Sequence, residues 1–272
     1  MLFSGKTVFI TGASRGIGAA IALRLAREGA NIAVVAKSIV EDSRLGGTIH
    51  SVAREVNDAG GKGLAVQCDI RDEEQVITAV QQTVAIFGGI DILINNASAI
   101  NLTNTEQMET KRFDLIHDIN VRGTWLVTKH CLPFLRKSSN PHILTLSPPL
   151  DMDPKWFAPY VAYTISKFNM SMMTIGWAKE FKKYNVAANS LWPMTTIATA
   201  AVKNIIGGDL LMSMSRKPDI LADCAYHILQ KPSTECTGNL FLDEQVLKDA
   251  GITDLDHYAV NPTGPLQRDL YV

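Results

Sequence analysis

Thr7-Val-Phe-Ile-Thr-Gly-Ala-Ser-Arg-Gly-Ile-Gly18 is an apolar run that breaks into three glycines near the start of the chain. Thr7-Val-Phe-Ile10 reads as a β-strand, and Thr11–Gly18 as a turn that opens a helix. Gly12, Gly16 and Gly18 follow the spacing Gly-x-x-x-Gly-x-Gly. Where a strand turns directly into a helix, backbone N–H groups and the positive end of the helix dipole face outward. Glycines there leave no side chain in the way of a phosphate. Glycine also serves tight turns and close helix packing, but the strand–turn–helix context favours the cradle of a dinucleotide pyrophosphate.

Working outward, short β-rich runs alternate with longer helical stretches. Strands are expected near 6–11, 31–36, 63–68, 90–95, 141–147, 186–192 and 238–243. The alternation predicts an α/β fold, a doubly wound parallel seven-stranded sheet flanked by helices, because right-handed crossovers place helices on both faces. Ligands of such sheets lie beyond the carboxyl ends of the strands, where strand order reverses. With 272 residues and an even scatter of apolar segments, the chain is expected to form a single domain over 1–272. Its 46% hydrophobic and 19% charged residues suit a large buried core. A net charge of −1 leaves no electrostatic footprint for nucleic acid or an anionic membrane.

Met1-Leu-Phe-Ser-Gly-Lys6 runs almost directly into the first strand, which leaves no room for a signal peptide, and no apolar run is long enough to span a bilayer. Cys68, Cys131, Cys224 and Cys236 are widely spaced and read as reduced thiols. A cytoplasmic protein is expected. The six histidines form no His-x-x-x-His pair, so no metal is expected.

Downstream, Tyr163-Thr-Ile-Ser-Lys167 sets a phenol and an ammonium four residues apart, on one face of a helix. Tyrosine ordinarily ionises near pH 10, so proton exchange near neutrality asks for a shift of roughly two to three units, about 3–4 kcal/mol. A neighbouring lysine favours the tyrosinate, as would an oxidised nicotinamide. The same spacing also occurs on ordinary solvated helices. It gains weight only in company with the glycine turn, and the two together point to hydride transfer.

The choice between NAD and NADP usually turns on the end of the second strand, where a carboxylate would accept from the ribose 2′-hydroxyl and repel a 2′-phosphate. Here Ile32-Ala-Val-Val-Ala36 is followed by Lys37-Ser38, with no acid. Arg15 and Lys37 are placed to hold a 2′-phosphate. NADP(H) is therefore expected over NAD(H).

With these elements in order, the chain resembles the short-chain dehydrogenase/reductase family over nearly its full length. The resemblance also rests on Asp69 in Cys-Asp-Ile, Asn95-Asn96-Ala97, Asn120 in Asn-Val-Arg-Gly, and Ser147 at the end of the fifth strand. It implies that Tyr163 exchanges a proton with the substrate oxygen and that Ser147 polarises that oxygen. Lys167 would bind the nicotinamide ribose and lower the tyrosine pKa, and Asn120 would hold a water of a proton relay. The turn residues Gly12, Ser14, Arg15, Gly16, Ile17 and Gly18 would take the pyrophosphate, and Asp69 with Ile70 the adenine. Asn95 and Ala97 would line the groove. These roles agree with the chemistry, since hydride addition to a carbonyl builds negative charge on an oxygen that needs a donor in place.

Trp192-Pro193-Met194-Thr195-Thr196-Ile197 stands where the family often has Pro-Gly. Pro193 and Thr195 are the expected carboxamide contacts, with the register left open. The run Ser147-Pro-Pro-Leu150, Trp156-Phe157, the strand Thr237-Gly-Asn-Leu-Phe-Leu-Asp243 and the tail through Leu270 look most like the hydroxysteroid dehydrogenase-like branch. Some members of that branch carry a sterol-carrier domain. The chain stops before such a domain and lacks a Ser-Lys-Leu ending, so lipid transfer and peroxisomal targeting are not expected.

Leu150, Met152, Trp156, Phe157, Trp192, Met194 and Ile197 fall on loops at the strand ends and suggest a bulky apolar carbonyl, unless they only pack the loops. Segment 198–215, with Gly207-Gly208, is expected to form a substrate lid, and 244–272 a C-terminal extension. The resemblance also implies a homodimer or homotetramer. Two other readings compete with carbonyl reduction and secondary-alcohol oxidation. Tyr160, seven residues before Lys167, has the spacing of enoyl reductases that reduce C=C, and a non-catalytic NADPH sensor or scaffold would need only the cofactor groove.

Overall fold

The structure, a computed structural model, describes residues 1–41 and 46–272. Among them the expected strands form: β1 (Thr7–Thr11), β2 (Asn31–Ala36), β3 (Lys62–Gln67), β4 (Ile92–Asn95), β5 (His142–Thr145), β6 (Ala187–Trp192) and β7 (Leu240–Leu242). They build one parallel sheet in the order β3-β2-β1-β4-β5-β6-β7. Strand order reverses between β1 and β4, so the crevice between their carboxyl ends is the place for a ligand.

The helices are α1 (Gly16–Ala26), α2 (Ile49–Asp58), α3 (Glu73–Phe87), α4 (Thr110–His117), α5 (Thr124–Leu135), α6 (Pro154–Phe157), α7 (Val161–Glu180), α8 (Gly208–Ser213), α9 (Asp219–Leu229) and α10 (Asp243–Asp249). The strand side chains alternate between two cores because successive residues point to opposite faces. Val8 and Ile10 of β1, Ile32 and Val34 of β2, and Ile92 and Ile94 of β4 pack under α1, α2 and α9. Phe9, Ala33, Val35 and Leu93 pack under α3, α5 and α7. Burial on both faces explains why these strands read as continuous apolar runs.

The helix starts differ in a way that bears on binding. Asp72 caps α3 by accepting from the Glu74 and Gln75 amides, and Thr48 and Ser51 form a reciprocal capping box on α2. At α1 the cap position is Arg15, with extended backbone and no side-chain cap, and the first turn carries no acid. The leading N–H groups of α1 are thus left for an outside acceptor.

A third, smaller core lies at the carboxyl ends of the strands. Tyr163, Phe168, Trp192 and Tyr271 are buried there, with Trp156, Phe157, Tyr160 and Leu270 packed around them. The segment after α10 returns to this place. It pairs Arg268 with Thr195 in an antiparallel bridge, and the Thr196 amide donates to the Gln267 carbonyl at 2.9 Å.

Candidate active site

Tyr163 and Lys167 sit in the first two turns of α7, 5% and 2% exposed respectively. Lys167 Nζ donates to the Leu146 carbonyl at 2.7 Å, which ties α7 to the end of β5, and lies 5.1 Å from the centre of the Trp192 ring. Ser147 follows Leu146. Its hydroxyl is fully buried and has no hydrogen-bond partner among the described residues. A buried hydroxyl left without a partner is costly unless a ligand supplies one.

Asn120 lies in a π-helical turn, Asp118–Gly123, between α4 and α5. Its side chain is committed to protein. Oδ1 accepts from the Ala99 amide at 2.8 Å, while Nδ2 donates to the Ala99 carbonyl and to Ser166 Oγ, each at 3.0 Å. The side chain therefore clamps the loop after β4 onto the catalytic helix, and a relay water at this residue would have to use its backbone.

Tyr163, Lys167, Asn96, Ile17, Pro193 and Trp192 line a cavity of about 400 Å³. A second, of about 230 Å³, is lined by Gly12, Lys37, Asp69, Ile70, Asn96 and Ala97. Both share Asn96 and Ser98, so they lie on either side of one wall; the first is the candidate catalytic end and the second the candidate adenosine end. Asn96 rather than Asn95 lines this groove. Asn95 is buried, and its Nδ2 turns away to Thr128 Oγ1 at 3.0 Å, whereas Asn96 Nδ2 donates to the Thr11 and Gly12 carbonyls at 2.8 and 3.0 Å.

Gly12 and Gly18 are required by close packing of the turn against the loop after β4. A Cβ on Gly12 would lie 2.8 Å from Ala97 Cα, and one on Gly18 would lie 2.5 Å from Asn96 Nδ2. Gly16, with φ +58, lies opposite Thr199, whose methyl would be 3.4 Å from an added Cβ. Thr199 lines the catalytic cavity as well as a wider one of about 550 Å³ on the far side of the turn, and sequence reading did not single it out.

Other expected residues are placed less simply. Ser14 is buried within the turn. Arg15 faces the wider cavity, its Nε and Nη2 donating to the Gly46 and Gly47 carbonyls at 2.7 and 3.0 Å, so it does not line the adenosine end. Lys37 does, and is exposed. Asp69 is held by Arg71, with Nη2 to Oδ2 at 2.5 Å, and hydrogen bonds from Arg71 foremost hold its carboxyl below the usual range. An adenine amine would share that carboxylate. Thr195 Oγ1 is buried without a partner among the described residues and does not line the cavity, while Thr196, which does, has its Oγ1 2.8 Å from Ser215 Oγ. Thr195 is thus the threonine of the pair with an unengaged hydroxyl.

The electrostatics correct one expectation. Burial pushes the Tyr163 phenol up, with Tyr271 and Asp269 adding in the same direction, so Lys167 does not bring it down. Burial also draws Lys167 down to about 7, opposed by Asp269. Tyr160 differs as well. It is the residue before α7, with φ −144 and ψ 52, so the seven-residue helical spacing to Lys167 does not hold at its first step, although Tyr160 lines the cavity.

Strand-end glycine turn, neighbouring groove and the buried cavity lined by Tyr163 and Lys167 together define a nicotinamide-dinucleotide oxidoreductase fold. The short chain dehydrogenase family model matches residues 6–207, and the chain belongs to that family. Its relatives include hydroxysteroid dehydrogenase-like protein 2 of Homo sapiens, 52% identical over 99% of this chain and 64% of that protein, and of Mus musculus, 51% identical over 99% of this chain and 54% of that protein. The chain thus spans less than two thirds of the length of these relatives. A short chain dehydrogenase of Mycobacterium thermoresistibile has a TM-score of 0.94 at 51% identity, covering 100% of this chain and 96% of that one. An NADH-dependent reductase solved with NAD has a TM-score of 0.70 at 26% identity, covering 89% and 95%.

Proposed function

We propose that the chain is an NADP(H)-dependent short-chain oxidoreductase that reduces a carbonyl, or oxidises the corresponding secondary alcohol, on a bulky apolar substrate. The observation that carries this reading is the cavity that Tyr163 and Lys167 line together at the carboxyl ends of the strands; Ser147, whose buried hydroxyl has no partner among the described residues, is next in sequence to the lining residue Leu146. A dinucleotide suits the residues present, since the α1 start has no side-chain cap and two cavities adjoin at Asn96 and Ser98 along the strand ends. When bound, it supplies the hydride acceptor or donor.

In the reducing direction, Ser147 would donate a hydrogen bond to the carbonyl oxygen, where negative charge develops. Tyr163 would give that oxygen its proton. The high phenol pKa keeps the proton on Tyr163 until the oxygen needs it, and makes the resulting alkoxide-to-phenol exchange easy to reverse. Lys167 would hold the nicotinamide ribose hydroxyls with the donors that its bond to Leu146 leaves over. Thr195 and Pro193 would hold the carboxamide.

The absence of an acid at the end of β2, with Lys37 at the adenosine end, supports NADP(H). Ile100, Leu102, Ile206, Leu211 and Leu270 on the cavity wall support an apolar substrate. Segment 198–215 is proposed as the lid of this domain, with 244–272 as its C-terminal extension. Val202, Ile206 and Leu211 face the cavity from the lid, and Gly208 at φ +62 has open space around it. A homodimer or homotetramer through α5 and α7 is supported by exposed Trp125, Met172 and Ile175. No helix among the described residues is long and apolar enough to cross a membrane, and four free buried cysteines suit a reducing cytoplasm.

Side-by-side fluorescence titration with NADPH and NADH, followed by a carbonyl panel with Tyr163→Phe and Tyr160→Phe as controls, tests the reading. Preferential NADPH binding and turnover lost with Tyr163→Phe alone are expected. Turnover lost only with Tyr160→Phe would assign the chain to C=C reduction, and cofactor binding without any turnover would make it a sensor.

A further inference from the structure

The catalytic cavity contains a group that the Ser-Tyr-Lys arrangement does not use. Among the described residues that line it, Asp269 is the one acid; Lys167 and Arg268 are the bases. Asp269 is fixed from several sides. Its amide donates to the Met194 carbonyl at 3.1 Å, and Trp192 Nε1 donates to the Leu270 carbonyl at 2.9 Å. Tyr271, next but one, is buried among Trp156, Phe168 and Trp192. One carboxylate oxygen accepts from the Leu270 amide at 2.7 Å, and the other has no hydrogen bond among the described residues. Lys167, which lines the same cavity, carries one strong protein hydrogen bond, to the Leu146 carbonyl, and among the described residues no carboxylate lies within ion-pair distance of its Nζ.

We propose that Asp269 is a positioning residue of this site: its carboxylate is the counter-charge that holds the Lys167 ammonium protonated in a cavity whose other walls are mainly apolar. The inference deepens the proposed function, in which Lys167 holds the ribose. Each group moves the other in the direction that such a partnership requires. Burial drives Lys167 down to about 7 and Asp269 up to about 6, and each opposes the other's shift. The sign follows: a carboxylate nearby favours the ammonium, so its loss lets Lys167 give up its proton at lower pH.

The other groups facing the pair are few. Tyr163 comes from α7 and Tyr160 from the residue before it, and Arg268 and Tyr271 come from the returning segment. Asp243, at the start of α10, also acts on Asp269, and is itself set between Arg216 and Glu244. From α4, His117 does not line the cavity; burial draws its imidazole down, opposed by the Ala162 backbone. The Trp192 ring adds a face toward Lys167 and no charge. None of these replaces the negative charge of Asp269 at the cavity wall.

The test reads Lys167 directly, without cofactor. Cyanate is small enough to enter the cavity and carbamoylates an amine only in its neutral form, so the rate of Lys167 modification against pH, followed by peptide mass spectrometry, gives the midpoint of its titration. Asp269→Asn keeps an acceptor for the Leu270 amide and removes the charge; it is expected to move the midpoint down by about one pH unit. Asp269→Glu should leave it within a few tenths. An Asp269→Asn midpoint equal to that of the wild type would overturn the proposal, as would a shift of the same size in Asp269→Glu. Should Asp269→Asn fail to fold, Asp269→Ser carries the same expectation. A shifted midpoint in a protein that turns over no carbonyl would establish the counter-charge and refute the reductase reading; the wild-type midpoint retained in an active reductase would do the reverse.

Discussion

The adenosine end and the catalytic end of the groove are built on opposite plans. At the adenosine end each wall residue follows its own strand: Gly12 after β1, Lys37 after β2, Asp69 after β3, Ala97 after β4. The catalytic end collects residues far apart in sequence. Thr164 on α7 and Tyr271, 107 residues away, share a hydrogen bond of 3.2 Å, and the rings around Tyr271 close that side. Strand ends suffice for a wet groove that follows a dinucleotide. A dry cavity that must shift pKa values needs a wall brought from elsewhere, because exclusion of water is a property of the whole enclosure.

The comparison can be broken most sharply at the catalytic end. Tyr163→Phe should lower kcat about 10²- to 10⁴-fold while the folded structure persists, as steady-state kinetics and circular dichroism would show. A loss below tenfold would move the proton to another group. Next, Tyr271→Ala should destabilise the protein by about 3–5 kcal/mol, since it empties a buried aromatic site. Urea unfolding measures this, and a change under 1 kcal/mol would mean that the returning segment is only laid against the cavity.

The adenosine end should respond more gently and in specificity rather than stability. Lys37→Asp should weaken NADPH relative to NADH by about 10- to 100-fold, the size of one or two lost charged hydrogen bonds. Equal weakening of both cofactors would remove Lys37 from the 2′-phosphate. The smallest expected effect is Asp72→Ala, which deletes the α3 cap and should cost about 1 kcal/mol of stability with cofactor preference unchanged.

This division also explains what the sequence made legible. Seven strands, their parallel order and the positions of Gly12, Gly18, Lys37, Tyr163 and Lys167 followed from local pattern, because each motif lies on one strand end or one helix face. Strand boundaries drifted by up to two residues, as with 90–95 against Ile92–Asn95, where the pattern fades into turns. What escaped depended on side-chain direction or distant packing. Asn95 and Asn96 are adjacent, and only the pleat decides which one faces the groove. Arg15 looked like a phosphate ligand by position, yet its guanidinium is engaged by Gly46 and Gly47. Asp269 stands in Gln-Arg-Asp-Leu-Tyr, a stretch with no motif; the adjacent aromatic anchor Tyr271 was its one available signal. The direction of the Tyr163 shift was missed because spacing shows a neighbour and not the dryness around it.

The uncapped start of α1 has a thermodynamic side. A helix whose first amides wait for an outside acceptor is completed by its ligand, so whatever binds there stabilises the folded chain by RT ln(1 + [L]/Kd), about 2.7 kcal/mol at a hundred times Kd. If the chain binds a dinucleotide there, as proposed, its resistance to proteolysis should rise with the supply of dinucleotide around it.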